Sequence, residues 1–162
     1  MTFTFYELVW FYFIYSLTGW CAEVCVAAAR KKKFINRGFV SGPLCPIYGT
    51  GAVVFAVFLP ELRENPFFLF LGGVILGSFI EFATGVLLEK AFHKKWWDYS
   101  GIRFNFDGYI CLPYSLLWGG FALMLTYLTN PLLSWLVGRI PRLLGVILLW
   151  VLAVLLAVDM LG

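Results

Sequence analysis

Three glutamates stand where a carboxylate is costly. Glu23, Glu81 and Glu89 lie in stretches made mostly of apolar and small residues. A carboxylate placed mid-way through a lipid-spanning helix costs roughly 2.5–3.5 kcal/mol, so one is kept where it finds a partner, carries a proton or meets a cation. Glu81 precedes Glu89 by eight residues, about 12 Å on a helix, which places it well inside the hydrocarbon with no evident partner in the nearby sequence. Glu23 and Glu89 fall closer to basic loops, where salt bridges to Arg37, Arg103 or loop lysines are expected. Gly73, Gly77, Glu81, Gly85 and Glu89 recur every four residues along one helical face, and Tyr15, Gly19, Glu23 and Ala27 make a similar stripe. Small residues at that spacing let helix backbones approach closely in lipid, and for the glycines a packing seam is sufficient explanation.

Two loops add polar groups. Residues 33–49 carry Asn36, Arg37 and Cys45, and residues 92–113 carry Asp98, Arg103, Asn105 and Cys111. The density of Gly, Pro and Asn in the first makes regular helix unlikely there. Irregular backbone at membrane depth is tolerated only inside protein or beside a water-filled cavity. With the three glutamates, these seven residues are the candidates for holding an ion or a polar headgroup. Asp98, a lone acid among Trp and Tyr, is expected to pair with Arg37 or Arg103. Cys45 and Cys111 could form a thiol pair, but His93 is the only histidine and no base is placed to activate a thiol. Cys21 and Cys25 read as small hydrophobes and His93 as a surface residue. No catalytic set, metal set or cofactor site emerges.

The elements that must position these groups follow from composition. Of 162 residues 62% are hydrophobic and 13% charged, about half the charged share of a soluble domain. Only helices and closed barrels satisfy their backbone in lipid, and a spanning helix needs about 20 apolar residues. Five segments qualify: Phe5–Ala29, Ile47–Leu59, Phe67–Leu88, Tyr109–Thr129 and Leu143–Asp159. The second is short and follows Gly42–Pro46, so it is expected to enter the membrane as irregular chain. The segment Asn130–Pro141 is expected to be an outer connection. Loops one and three hold nine Lys and Arg against three on the other side, which predicts an inner-membrane protein with the N-terminus outside and the C-terminus cytoplasmic. The loop lysines also favour anionic lipid, at about 1 kcal/mol each. Trp96 and Trp97 read as interfacial belt residues. No basic patch faces away from lipid, so nucleic acid is not an expected partner.

Sliding the chain by 66 residues aligns Thr18, Gly19, Glu23, Arg37, Gly42, Cys45 and Tyr48 with Thr84, Gly85, Glu89, Arg103, Gly108, Cys111 and Tyr114. Both copies read T-G-x3-E-x13-R-x4-G-x2-C-x2-Y. The expectation is an all-α membrane protein forming one transmembrane domain over 1–162. It holds two tandem helix–loop–helix repeats, at about 5–60 and 67–129, related by a pseudo-two-fold along the membrane normal. A fifth helix at 143–159 stands outside the symmetry.

The strings NRGF-x-x-GPLCPIYG, E-x-x-TG-x-x-x-E, WWDYS and FN-x-x-G-x-ICL over Phe5–Gly119 closely resemble a bacterial family labelled type IV ABC-transporter, or CmpB-like, membrane proteins. The resemblance implies transport. No Walker A string, G-x4-G-K-[ST], occurs in this sequence, so any ATPase is expected to be a separate protein. A transporter or permease component working as a homo-oligomer or with another membrane subunit is the leading expectation. A lipid-binding or lipid-modifying protein and a non-catalytic membrane scaffold are the alternatives.

Overall fold

The computed structural model describes residues 2–32, 34, 36 and 42–161; Lys33 and Arg37 therefore lie outside the described residues. Two long helices dominate. α1 (Phe5–Lys31) opens on a capping box in which the Thr4 hydroxyl accepts from the Glu7 amide and Glu7 accepts from the Thr4 amide at 2.7 Å. This pairing satisfies two of the donors that a helix start leaves open. α3 (Pro66–Phe92) opens on Asn65, whose side chain accepts from the amides of Phe67 and Phe68, with proline at the first helical position. Both helices have 27 residues and both end on a residue in the left-handed region, Lys32 and His93. At 1.5 Å per residue each is about 40 Å long, more than the ~30 Å hydrocarbon core.

Four helical stretches are long and apolar enough to cross a membrane: Phe5–Ala29, Pro66–Phe92, Leu112–Val137 and Arg142–Met160. The second expected span, α2, runs Pro46–Phe58 with 13 residues, about 20 Å and too short to cross alone. A 3-10 turn, Pro60–Glu64, joins it to α3.

The fourth span differs from expectation at both ends. It is preceded by a small hairpin, β1 (Asn105–Phe106) against β2 (Ile110–Cys111). Asp107 and Gly108 take φ values of 49° and 74° at its tip, the left-handed pair that an Asp-Gly hairpin turn requires. Helix then begins at Leu112 rather than Tyr109. It runs through α4 (Leu112–Met124), a π turn (Leu125–Thr129) and α5 (Asn130–Val137), so 130–137 is helix and not connection. Pro131 lacks an amide and its ring crowds the carbonyl four residues earlier. A locally widened turn just before it is the accommodation that keeps the helix going. α6 (Arg142–Leu161) completes the chain.

Contacts group the chain into two compact units, Met1–Val53 with Asn130–Gly162, and Val54–Thr129. In the first, Trp10 and Phe13 of α1 pack with Val137 and Leu149, joined by Tyr6, Ile140 and Leu152. In the second, α3 and α4 pack through small residues. A Cβ added to Gly73 would overlap that of Ala122 and lie 3.1 Å from the Gly119 Cα.

Each unit starts its second helix beside the middle of the first. The Cys45 amide donates to the Ser16 carbonyl at 2.9 Å, one residue before α2 begins. Ser78 of α3 donates to Ser115, in the first turn of α4, at 2.7 Å. In the second unit the connecting chain folds back along the latter half of α3, where Tyr99 and Tyr109 meet Glu81 and Glu89. Because Gly73 has no room for a side chain while Gly120 has open space around its Cβ position, the two should separate. Gly73→Ala should lower unfolding stability by about 1–3 kcal/mol through overpacking. Gly120→Ala should be neutral or slightly stabilising, since alanine is the better helix former by ~1 kcal/mol. Denaturant titration of each variant in lipid bicelles, read by helical content, checks the pair.

Candidate functional site

In an α-helix residues four apart share a face, and side chains lean toward the N-terminus. A glutamate four residues after a glycine therefore reaches back over a bare patch of backbone. Three such Gly-x3-Glu pairs occur, and each receives an aromatic side chain in the same way. At Gly19 a Cβ would overlap the Tyr48 ring, and the Tyr48 hydroxyl donates to Glu23 at 2.7 Å. At Gly77 a Cβ would overlap the Trp118 indole, and Trp118 Nε1 donates to Glu81 at 3.2 Å. At Gly85 a Cβ would lie 2.9 Å from the Tyr109 ring, and the Tyr109 hydroxyl donates to Glu89 at 2.5 Å. The glycine seats the ring, and the polar end of the ring spans one turn to the carboxylate.

Glu81 is the most enclosed of the three, at 6% exposure. Its second oxygen accepts from the Tyr99 hydroxyl at 2.8 Å. The Tyr99 ring stacks on Tyr114 at 4.7 Å between centroids, and Phe55 packs edge-on against Trp118. The partners that the nearby sequence does not show are thus supplied by Tyr99 and Trp118, 18 and 37 residues away. Hydrogen bonds to a charged group are worth about 1.5–3 kcal/mol each, so two of them offset the roughly 2.5–3.5 kcal/mol of insertion cost.

Among the described residues, the hydrogen-bond partners of Glu89 and Asp98 are uncharged donors. Glu89 takes the Tyr109 phenol, while the Arg103 guanidinium lies over the Phe104 ring at 5.7 Å. Among the described residues Asp98 is not paired with Arg103: it accepts from the Ser100 amide at 2.9 Å and from the Ser100 hydroxyl. Those bonds, with the nearby Lys95 ammonium adding a smaller effect, hold the Asp98 carboxyl below its ordinary range. Asn105 closes the hairpin loop, donating to the Ile102 carbonyl at 2.7 Å and accepting from the Gly108 amide at 3.1 Å, so its amide is committed to the backbone. Lys95 donates to the Asp107 carbonyl at 2.8 Å and sits 4.5 Å from the Tyr109 ring centre. Asn36 accepts from Trp20 Nε1 at 2.7 Å. Arg37 falls outside the described residues. Cys45 and Cys111 are buried, one in each unit, whereas Cys21 and Cys25 are exposed on α1. Among the described residues no group of three His, Cys, Asp or Glu could hold a metal ion.

Several residues that build these sites went unassigned by sequence reasoning. Tyr99, Tyr109 and Trp118 are donors 18, 20 and 37 residues from their glutamates, separations at which no helical periodicity operates. Asp159, read only as a span boundary, accepts from the Gly42 amide at 2.7 Å and ties the chain just before α2 to α6. Asn130, buried, accepts from the Tyr15 hydroxyl at 2.7 Å.

A family model described as Putative ABC-transporter type IV matches residues 10–162, extending past the motif strings to include α6. No curated protein and no solved structure matches the chain. Several helices apolar enough to span the bilayer, together with that match, make this a multi-pass membrane protein of ABC-transporter-related type.

Two outcomes follow from the geometry. Tyr99→Phe and Trp118→Phe, the one keeping its ring and the other replacing indole with phenyl, should each destabilise by about 1–3 kcal/mol because Glu81 is left short of a donor in a closed site. Glu81→Gln should cost less in the Trp118→Phe background than in the wild type, as a double-mutant cycle by chemical unfolding would show. For Asp98, a depressed carboxyl contributes stability above its unfolded value of about 3.9 and loses it as pH falls through the folded midpoint. An NMR titration should place that midpoint below ~3.9, and Asp98→Asn should remove the corresponding step from acid unfolding.

Proposed function

We propose, from the premise that this chain belongs to the family described as Putative ABC-transporter type IV, that it is the membrane-spanning permease component of a transport system and that Glu81 is its polar working site. The observation that carries this reading is a buried carboxylate held within a long apolar helix by two uncharged donors, Tyr99 and Trp118. A carboxylate fixed by Arg or Lys is neutralised in place. One held by a phenol and an indole keeps its capacity to take a proton or a small cation, as intramembrane acids in ion pathways do.

The proposal includes the two helix–loop–helix segments as parallel repeats about an axis along the membrane normal. In support, α2 and α4 begin 66 residues apart, at Pro46 and Leu112, which is the spacing of the sequence repeat. Against a strict copy, α1 and α3 begin and end 61 residues apart. The repeat thus describes the glutamate site and the following helix rather than the whole span. The excess of Lys and Arg in the first and third loops places those loops in the cytoplasm, with the N-terminus outside. In this reading ATP is hydrolysed by a separate subunit, because no Walker A string is present here, and the permease assembles as a homo-oligomer or with a second membrane subunit.

The test is purification in mild detergent with its native partners, followed by reconstitution into liposomes. A co-purified ATPase should hydrolyse ATP at least tenfold faster in the presence of the wild-type chain than with Glu81→Gln, whose helical content is unchanged. Equal ATPase rates with the two chains, together with equal proton flux read by an internal pH-sensitive dye, would remove Glu81 from the mechanism.

A further inference from the structure

Within the first unit, the start of α1 and the link between α5 and α6 line an open cleft of about 580 Å³, with Thr4, Tyr6, Glu7, Pro141 and the exposed Arg139 and Arg142 on its walls. Its chemistry is dominated by donors. The Arg142 guanidinium lies 3.8 Å from the centre of the Tyr6 ring, and that of Arg139 lies 3.9 Å from the Trp135 ring. Stacking on an aromatic face orients a guanidinium while leaving its in-plane N–H groups available. Among the described residues neither arginine forms an ion pair. The first intrahelical bond of α6 runs from the Gly145 amide to the Pro141 carbonyl at 2.9 Å, so the amides of Arg142, Leu143 and Leu144 have no acceptor within the helix. Pro141 carries no side-chain oxygen to cap them. The Tyr6 hydroxyl, packed against Gly145, is buried without a hydrogen-bond partner.

The single acid in the cleft does not answer these donors. Glu7 accepts from the Thr4 amide and the Thr4 hydroxyl at 2.7 Å each, and its other oxygen accepts from Ser134. Two guanidiniums therefore face one carboxylate that is already engaged. An anion with several oxygens could satisfy both forks at once and also meet the start of α6, where the helix dipole favours negative charge. A carboxylate holds its two oxygens in one plane; a phosphodiester holds two anionic oxygens on a tetrahedral phosphorus, with two ester oxygens beside them. The cleft lies where two spans begin, beside an exposed Trp135 of the kind enriched at the lipid–water boundary.

We propose that this cleft binds the phosphate group of an anionic phosphodiester, with Arg139 and Arg142 as its ligands. This site is separate from Glu81 and stands whether or not that reading does.

The experiment titrates the detergent-solubilised full chain with short-chain phosphatidylglycerol, short-chain phosphatidylcholine and inorganic phosphate, following the unfolding midpoint and the tryptophan fluorescence. Phosphatidylglycerol should raise the midpoint and bind at least tenfold more tightly than phosphatidylcholine. The Arg139→Gln/Arg142→Gln double variant, with helical content verified, should lose that difference. Arg139→Lys/Arg142→Lys, which keeps the charge and loses the fork, should retain part of it and guards against misfolding as the cause. Binding of inorganic phosphate at similar affinity would assign the site to a free phosphate; its failure to bind would assign it to a lipid headgroup. Equal binding of the two lipids by the wild type, or an unchanged preference in the double glutamine variant, would overturn the proposal.

Discussion

A carboxylate inside a helix bundle needs a donor, and a donor reaches it only if the helix surface beside it is bare. That constraint organises much of this protein. It explains why glycine stands four residues before each of Glu23, Glu81 and Glu89, and why an aromatic ring lies where each glycine's side chain would have been. Tyr and Trp suit the task because each combines a flat apolar body with one polar tip. The body packs against helix backbone in the manner of any apolar contact, and the tip is delivered one turn along.

The same constraint bears on the loops. Tyr99 and Tyr109 belong to the segment between α3 and α4, yet they serve Glu81 and Glu89 on α3. To do so the segment must double back along the helix it has just left. Folding back in this way carries unpaired backbone with it, and its groups are met locally. The hairpin from Asn105 to Cys111 pairs two short strands, Asn105 takes amide and carbonyl partners in the turn, and the Tyr99 amide donates to the Gly108 carbonyl at 2.8 Å. Asn105 holds that turn together, and Asp98 accepts from Ser100 just before it, in the segment that carries the tyrosines.

How much of this is legible in the sequence depends on the range of the interaction. The apolar spans, the short second helix and the irregular chain before it are visible because they are set by local composition and by Pro and Gly. The every-fourth-residue stripe on α3 is visible for the same reason, since helical period is a local property. The partners of the glutamates are not. Salt bridges to Arg37 and Arg103 are the natural inference from charge alone, but Glu89 is met by an uncharged phenol that no charge count identifies. The repeat came close, because it singled out Tyr48, which does meet Glu23. It then pointed to Tyr114 in the second copy, where the contact to Glu89 is made by Tyr109 and Tyr114 stacks on Tyr99 instead. The helical passage through Asn130 and Pro131 was hidden because proline normally reads as a stop; a single widened turn is enough to reverse that reading.

Uncharged donors bear on what the site can do. A buried carboxylate paired with a guanidinium is a fixed structural unit, and removing either partner leaves an uncompensated charge. Glu81 is bound by groups that stabilise a negative oxygen through hydrogen bonds without cancelling its charge, so the balance between its charged and neutral forms rests on what else arrives. In the function proposed for Glu81, a proton or a small cation supplies that balance and leaves again without breaking a salt bridge. The two hydrogen bonds are strong enough to make the carboxylate tolerable in an apolar helix, yet they leave its charge free to change. A scaffold needs only the first of these properties, whereas a transport pathway needs both.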